Sequence, residues 1–504
     1  MTSGRTDARP APPREAPLPV GALAALVGTA AVGLGGGLAL GAAGATSGLV
    51  AAVAAVGVAG AVGGVLYRPL WAVALVFASP AVGDRPLPGA PLGLQVVHVV
   101  CVFALAVVGL SVLSGGLLGG VRRMAVRLPL LCGAGLVATA FASTLASVDP
   151  ARSVKVAATF AVGLLLVLAV LVVARGHGEH RVLLGAAVLG SMVVTVPVLG
   201  GAGALDAAYG GAVVENRAES TFADPNALGS YAALVLLLAA GWFFGADGRI
   251  ERIAAAAGGA TAAAALTLTL SRGAWIGAAA GLAVFATAHP PARAPLAWLG
   301  LAGATAAVAV LALPVIGVAP RTGPVQVVAD RVAAIADRSA NPYDVRPITW
   351  QEAIRQFAAE PALGNGPGAF SVLSAESGSE LQFYPRRHAH NAVLTTAAEM
   401  GVAGLLAGLG MVGTLALTVQ AQFRRLRRAR GTRPDTGGRE RAVLAGGAAA
   451  LVALSVHLLV DYPLRNPVLM VTVWAVAGLV LAAVAAPTGT RRTGALTTYA
   501  ASPR

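Results

Sequence analysis

Apolar runs of about 18 to 25 residues succeed one another along nearly the whole chain, with short polar breaks between them. Each run can cross a hydrocarbon core of about 30 Å as a helix. The pattern predicts spans near 20–43, 46–66, 69–83, 92–114, 128–147, 154–174, 182–201, 227–245, 253–270, 274–289, 295–318, 391–419, 442–461 and 467–486, roughly 12 to 14 crossings in all. One hydrophilic stretch stands apart, residues 319–390, which ends at His388-Ala389-His390-Asn391. Loops tend to carry function while a scaffold positions them, so this segment is the first place to look for chemistry.

Composition agrees with the pattern. Hydrophobic residues make up 57% of the chain, charged residues 12%, and mean hydropathy is +0.76, values foreign to a soluble globular domain. The expected fold class is therefore all-α: a polytopic integral membrane protein with 12–14 transmembrane helices and one large extracytoplasmic loop. Arginines orient it. With the N-terminus inside, alternate loops hold Arg5, Arg9 and Arg14; Arg68; Arg122, Arg123 and Arg127; Arg175 and Arg181; Arg249 and Arg252; Arg293; a cluster from Arg424 to Arg441; and Arg491 with Arg492. Short cytoplasmic loops carry this excess. The expected organisation is a disordered cytoplasmic tail over 1–19, a transmembrane domain over 20–486 that includes the loop 319–390 with its amphipathic helices, and a cytoplasmic tail over 487–504.

The net charge of +14 is thus chiefly a topology signal. Nucleic-acid binding would need those arginines on one continuous face with aromatic neighbours, which the chain does not offer. Cys101 and Cys132 fall inside predicted spans, which argues against a structural disulfide or a cysteine-based metal centre.

Under this topology four polar positions face outward together. In the loop 202–226, Asp224-Pro225 reads as an N-cap followed by a first-turn proline, while Arg217 has no capping role and either pairs with Glu215 or Glu219 or serves a ligand. Arg272 sits between two apolar runs with only Ser271 and Gly273 beside it. A charge at or near membrane depth is a functional hypothesis by default, with snorkelling from a short turn as its alternative. Arginine keeps its proton and presents a fork suited to phosphate, so two arginines on one cavity would make a pyrophosphate site.

In the long loop, Val328, Val332 and Ile335 predict an amphipathic helix over Val325–Asp337. Thr349-Trp350-Gln351-Glu352 fits a capping box starting another helix, with Arg346 just before it. Gly364-Asn365-Gly366-Pro367-Gly368 predicts a tight turn that is either a linker or a source of backbone N–H groups for an anion. Arginines and acids in this loop number seven each, so anion affinity would depend on placement. His388 and His390 could be metal ligands, but no Cys and no nearby acid pair completes a shell. His390, at the start of a span, is instead a candidate general base. Glu399 lies deeper on that span, and His457 and Asp461, four residues apart, can pair with each other, with Arg465 beyond.

These residues resemble a known family. Arg-x-x-x-Thr-Phe-x-x-Pro-Asn (Arg217 to Asn226), Ser-Arg-Gly-Ala-Trp (Ser271 to Trp275), Arg-x-x-x-Trp (Arg346 to Trp350), Gly-Asn-Gly-Pro-Gly-Ala-Phe (Gly364 to Phe370) and His-Asn with a later Gly (His390, Asn391, Gly401) occur in order. The set is similar to the O-antigen ligase and polymerase family of polytopic bacterial membrane proteins, over roughly residues 90–486. Where that family has Arg-x-x-x-Leu, this chain has Trp350.

The resemblance implies a metal-independent, membrane-embedded glycosyltransferase with no cofactor. It would take a glycan from an undecaprenyl-diphosphate carrier and join it to a glycan or lipid acceptor on the outer face of the cytoplasmic membrane, as a surface-polysaccharide ligase or polymerase. His390 would deprotonate the acceptor. Arg217, Arg272 and Arg346 would hold the diphosphate and stabilise the leaving group, with Asn391 and Gly366 also at the substrate. The alternative is a transporter or flippase for an anionic solute or lipid-linked glycan, which would place charge along a mid-membrane path.

Overall fold

The computed structural model describes residues 69–82, 95–113, 124–199, 218, 220–222, 224–298, 345–377, 381, 388–428 and 436–486. The chain divides into two units, residues 1–72 with 490–504 and residues 73–489; only Pro69–Ala72 of the first is described. The predicted spans 20–43 and 46–66, most of 295–318, the loop helix Val325–Asp337, Arg217 and both tails lie outside the described residues.

Among the described residues every regular element is helical: α1 Pro69–Ala78, α2 Val96–Leu113, α3 Met124–Thr144, α4 Pro150–Val173, α5 His177–Leu199, α6 Pro225–Gly245, α7 Arg249–Leu268, α8 Arg272–Ala288, α9 Arg346–Ala359, α10 Phe370–Glu376, α11 Ala392–Arg428, α12 Thr436–His457 and α13 Pro467–Ala485. Seven of them are long and apolar enough to cross a membrane, and two shorter apolar helices accompany them. The chain is an all-α polytopic membrane protein, as its hydropathy pattern predicts.

Three helices start in the same way. Asp149-Pro150, Asp224-Pro225 and Asn466-Pro467 place a capping oxygen before a proline: Asp149 accepts from Arg152 N, Asp224 from Asn226 N and Ala227 N, and Asn466 from Val468 N and Leu469 N. The cap satisfies orphan donors of the first turn, and proline fills a position whose N–H would have no helical partner.

The central packing joins α6, α8 and α12 through small residues. A Cβ added to Gly446 on α12 would lie 2.7 Å from the Cα of Gly241 on α6. Gly273, Gly277 and Gly281 on α8 face His457, Ala453 and Ala449 of α12. In lipid no hydrophobic drive separates helix from solvent, so close backbone approach is what holds helices together.

The described polar contacts fall at two ends of this bundle. At one end Arg181 pairs with Asp247 and Glu251, and Arg439 with Asp247. The other end gathers the starts of α4, α6, α8, α11 and α13.

Helix α11 is interrupted early. Gly401 has φ 62° and ψ −160°, a conformation essentially restricted to glycine. The break strands backbone groups on both sides, and the segment 361–366 takes them up. Asn365 N and Gly366 N donate to the carbonyls of Ala398 (3.1 Å) and Glu399 (2.9 Å), while Val402 N and Ala403 N donate to Pro361 O (2.8 Å) and Ala362 O (3.2 Å). The Asn365 side chain adds bonds to Ala398 O and Gln356 O.

The turn at Gly366 is part of this clasp: Gly366 is buried, its N–H donates to α11, and a side chain there would collide with Ser147 and Ser153. The expected capping box is corrected. Helix α9 begins at Arg346, with Pro347 in its first turn; the Thr349 hydroxyl donates to Arg346 O, and Glu352 binds Arg355 and Gln356.

Gly401→Ala tests the clasp. A Cβ at this φ is strained, which costs about 1–3 kcal/mol, and it would also fall against Ala362 O. We expect a lowered unfolding midpoint in detergent and faster proteolysis of the 361–366 segment; a midpoint equal to that of the unaltered protein would remove the clasp from the structural argument.

Candidate active site

The site is built where α12 ends. Beyond His457 the carbonyls of Leu458, Leu459 and Val460 have no helical partner, and three groups from the loop supply donors. Ala392 N reaches Leu458 O at 2.9 Å, Asn391 Nδ2 reaches Leu459 O at 2.8 Å, and Arg346 Nε reaches Val460 O at 2.9 Å. The starts of α9 and α11 are thereby held beside the next residue, Asp461.

Asp461 is the centre of the arrangement. It is 3% exposed, and every oxygen is engaged. Oδ1 takes His390 Nδ1 at 2.9 Å, His388 Nε2 at 3.4 Å and the backbone N–H of Tyr462 at 2.7 Å. Oδ2 takes Asn226 Nδ2 at 2.5 Å. The other end of the Asn226 amide accepts from Ser271 Oγ at 2.9 Å, which ties the turn carrying Arg272 into the same network. Beneath it, Ser230 Oγ donates to Asn226 O and therefore accepts from His457 Nδ1 at 2.7 Å.

Burial alone pushes the Asp461 carboxyl up. Hydrogen bonds from His388 and His390, with positive potential from His390 and His457, outweigh it and hold the group well below the usual carboxylate range. Burial pushes the His388 imidazole down, opposed in part by its bond to Asp461. An ionised carboxylate only accepts, so the His390 Nδ1 that meets Asp461 carries a proton; in the neutral ring that tautomer leaves the lone pair on Nε2.

The sequence-predicted residues can now be placed. His390 and Arg346 meet at the α12 end, and Arg272 opens α8 directly after Ser271. Arg217 lies outside the described residues, but its neighbour Ala218 is buried and donates from its backbone to Leu268 O at 3.0 Å. Asp224 is the N-cap predicted for it and also pairs with Arg465.

Asn391 caps α11: its Oδ1 accepts from Leu394 N at 3.0 Å and its Nδ2 donates to Leu459 O at 2.8 Å, which holds the residue next to His390 in place. The expected His457–Asp461 side-chain pair is corrected: His457 binds Ser230, and Asp461 binds the loop histidines. Asp461 is a single acid beside the two histidines, and the three ligand atoms lie within 4.8 Å of one another.

Among the described residues, the non-glycine positions with positive φ are Ser220 (46°), Leu270 (52°) and His390 (49°). One lies in the segment after Arg217, one just before Arg272, and one is the candidate base itself. Such backbone persists only where surrounding contacts over-determine it, and it concentrates at functional sites. Sequence reasoning missed Asp461 as the partner of His390, and gave Asn226 and Ser271 no role beyond their places in motifs; the available signal was a lone acid at a tight corner between two spans.

The depressed Asp461 carboxyl makes a pH prediction. A group whose folded pKa lies below its unfolded value of about 3.9 contributes stability that is present above that value and is lost as pH falls toward the folded one. Asp461→Asn should lower stability at neutral pH and flatten the acid limb of the stability profile. Parallel acid limbs in the two proteins would show that the carboxylate is not held by its neighbours.

Residues 257–409 match the family model described as O-antigen ligase. Comparison with curated proteins gave no match. The matched segment contains Arg272, Arg346, the Gly364–Gly368 turn and His390, whereas Asn226 and Asp461 lie outside it. The match supports the family resemblance drawn from the motifs: residues 257–409 of this polytopic membrane protein are similar to the O-antigen ligase domain.

Proposed function

We propose that this protein transfers a glycan from an undecaprenyl-diphosphate carrier to a glycan or lipid acceptor at the outer face of a bacterial cytoplasmic membrane. One observation carries the reading: the buried Asp461 carboxylate bonds Nδ1 of the part-exposed His390, an arrangement in which the neutral ring offers Nε2 as proton acceptor. The O-antigen ligase match supports a surface-polysaccharide ligase or polymerase role, and the chemistry below specifies it.

In the proposed step His390 Nε2 takes the proton of the acceptor hydroxyl as the oxygen bonds to the anomeric carbon. The bond from that carbon to the diphosphate oxygen breaks, and the electron pair leaves with the diphosphate. Asp461 stabilises the imidazolium that forms, as the carboxylate does in an Asp–His pair of a hydrolase. Arg272 and Arg346, with Arg217, stabilise charge on the leaving diphosphate, usually the largest catalytic contribution. The helices α6, α8, α11 and α13 turn their N-termini, the positive ends of their dipoles, toward this end. No resident metal ion is invoked. A transporter would need charge along a mid-membrane path; here Asp461, His390 and Arg346 gather at one end of the bundle, linked through Asn226 to the Arg272 turn.

Two experiments test the proposal. In a background lacking Cys101 and Cys132, cysteine at position 380 should react with an impermeant reagent in intact cells, and cysteine at position 430 should not. The reverse labelling would place the site on the cytoplasmic side and end the proposal. In nanodiscs, His390→Ala should leave donor binding nearly intact and lower turnover by about 10²–10⁴-fold. Arg272→Ala should weaken donor binding as well as rate, and Arg272→Lys should rescue it poorly because a point charge does not replace the fork. Equal loss of binding and rate in His390→Ala, or full activity in Arg272→Ala, would refute these roles.

A further inference from the structure

We propose that His388, His390 and Asp461 form a binding site for one Zn²⁺ ion, and that its occupation switches glycan transfer off. The binding site stands on geometry alone; the switch rests on the role proposed above for His390.

The three ligand atoms lie within 4.8 Å of one another. His388 Nε2 and His390 Nδ1 converge on the same carboxylate oxygen, at 3.4 and 2.9 Å, and the ring centroids are 3.8 Å apart. Zinc binds imidazole nitrogen and carboxylate oxygen at about 2.0–2.2 Å, so the edges of its tetrahedron are about 3.3–3.6 Å. A small opening of the existing contacts would admit the ion. Two imidazoles and one carboxylate suit zinc; magnesium and calcium prefer all-oxygen shells.

The surroundings meet the further requirements of a metal site. The Asn226 amide holds Asp461 Oδ2 and is itself held by Ser271, an outer partner of the kind that orients a ligating carboxylate. His388 and Asp461 are buried, while the His390 side chain is 24% exposed, so one of the three ligands is reached by solvent. Three N–H donors crowd Asp461 Oδ1, two of them on imidazoles that can present a lone pair to a cation instead.

The consequence for catalysis follows from proton placement. Zinc on His390 takes the Nδ1 lone pair, so the ring's one proton must reside on Nε2. That nitrogen becomes a donor and can no longer accept the proton of the acceptor hydroxyl. No net proton is gained or lost by a neutral ring; its position alone changes. Zinc would therefore inhibit an enzyme that needs no metal.

The test uses the full-length protein in nanodiscs, stripped with EDTA and freed of chelator. Titration calorimetry with ZnCl₂ should show one saturable site, with no comparable heat from MgCl₂ or CaCl₂. Asn226→Ala should weaken zinc binding by about 10–100-fold, and His388→Ala and Asp461→Ala by more. Because a variant could fail to fold, the unaltered protein supplies a second measurement: ZnCl₂ should slow carbethoxylation of His388 and His390 by diethyl pyrocarbonate. Absence of saturable zinc binding, unchanged affinity in both His388→Ala and Asp461→Ala, or unprotected histidines would overturn the site. Metal-free protein should transfer glycan, with inhibition following zinc occupancy. Zinc binding without inhibition would overturn the switch and the base role of His390 together, whereas failure to bind zinc in an enzyme that depends on His390 would overturn this inference alone.

Discussion

A backbone carbonyl or N–H group that leaves a helix inside a low-dielectric environment must find another partner, and two such interruptions organise this protein. Helix α12 ends with three carbonyls to place, and helix α11 breaks at Gly401 with groups stranded on both sides. The polar loop supplies the partners in each case. Segment 361–366 clasps the break, while Ala392, Asn391 and Arg346 close the end of α12. The loop is therefore anchored by the same requirement that makes any broken membrane helix costly, and its catalytic candidates are carried to their places by those bonds.

The second level is electrostatic. A carboxylate as buried as Asp461 is tolerated only if its oxygens are filled with donors. Two loop histidines, an amide from α6 and a backbone N–H fill them. Removing any one leaves part of a buried charge unsatisfied, so the groups that keep the corner folded also set the tautomer of His390. Stability and chemistry share one set of hydrogen bonds here. The left-handed backbone at His390, Leu270 and Ser220 is consistent with that sharing, since each strained residue lies in or beside a segment whose position the network dictates.

Hydropathy made the spans readable, because crossing a bilayer needs a long apolar run whatever the neighbours. Local chemistry made the Asp224-Pro225 start readable for the same reason: the cap is complete within four residues. Arg272 stood out as a charge between two apolar runs, Arg346 through its place before a loop helix, and His390 through its place at the start of a span. What sequence could not show were pairings across long separations. His390 and Asp461 are joined over 71 positions and Asn226 and Asp461 over 235, and no spacing rule links them. Asn391 and Gly366 show a structural side that no motif displays: one caps a helix start and the other donates its N–H to a helix break.

The small residues of the central helices complete the argument. Asn226 and Ser271 can share a hydrogen bond only if α6 and the start of α8 nearly touch, and Gly229 lies under that contact, where a Cβ would sit 3.1 Å from Ser271 Cβ and 2.9 Å from Ala274 Cβ. Gly273, two residues beyond Ser271, leaves room for the His457 ring that bonds Ser230. A larger residue at either position would separate the helices, lengthen the Asn226–Asp461 contact and free the carboxylate to turn. The Gly- and Ala-rich character of the spans thus reaches the site: close helix packing sets the distance from Asn226 to Asp461, the carboxylate that meets His390 Nδ1.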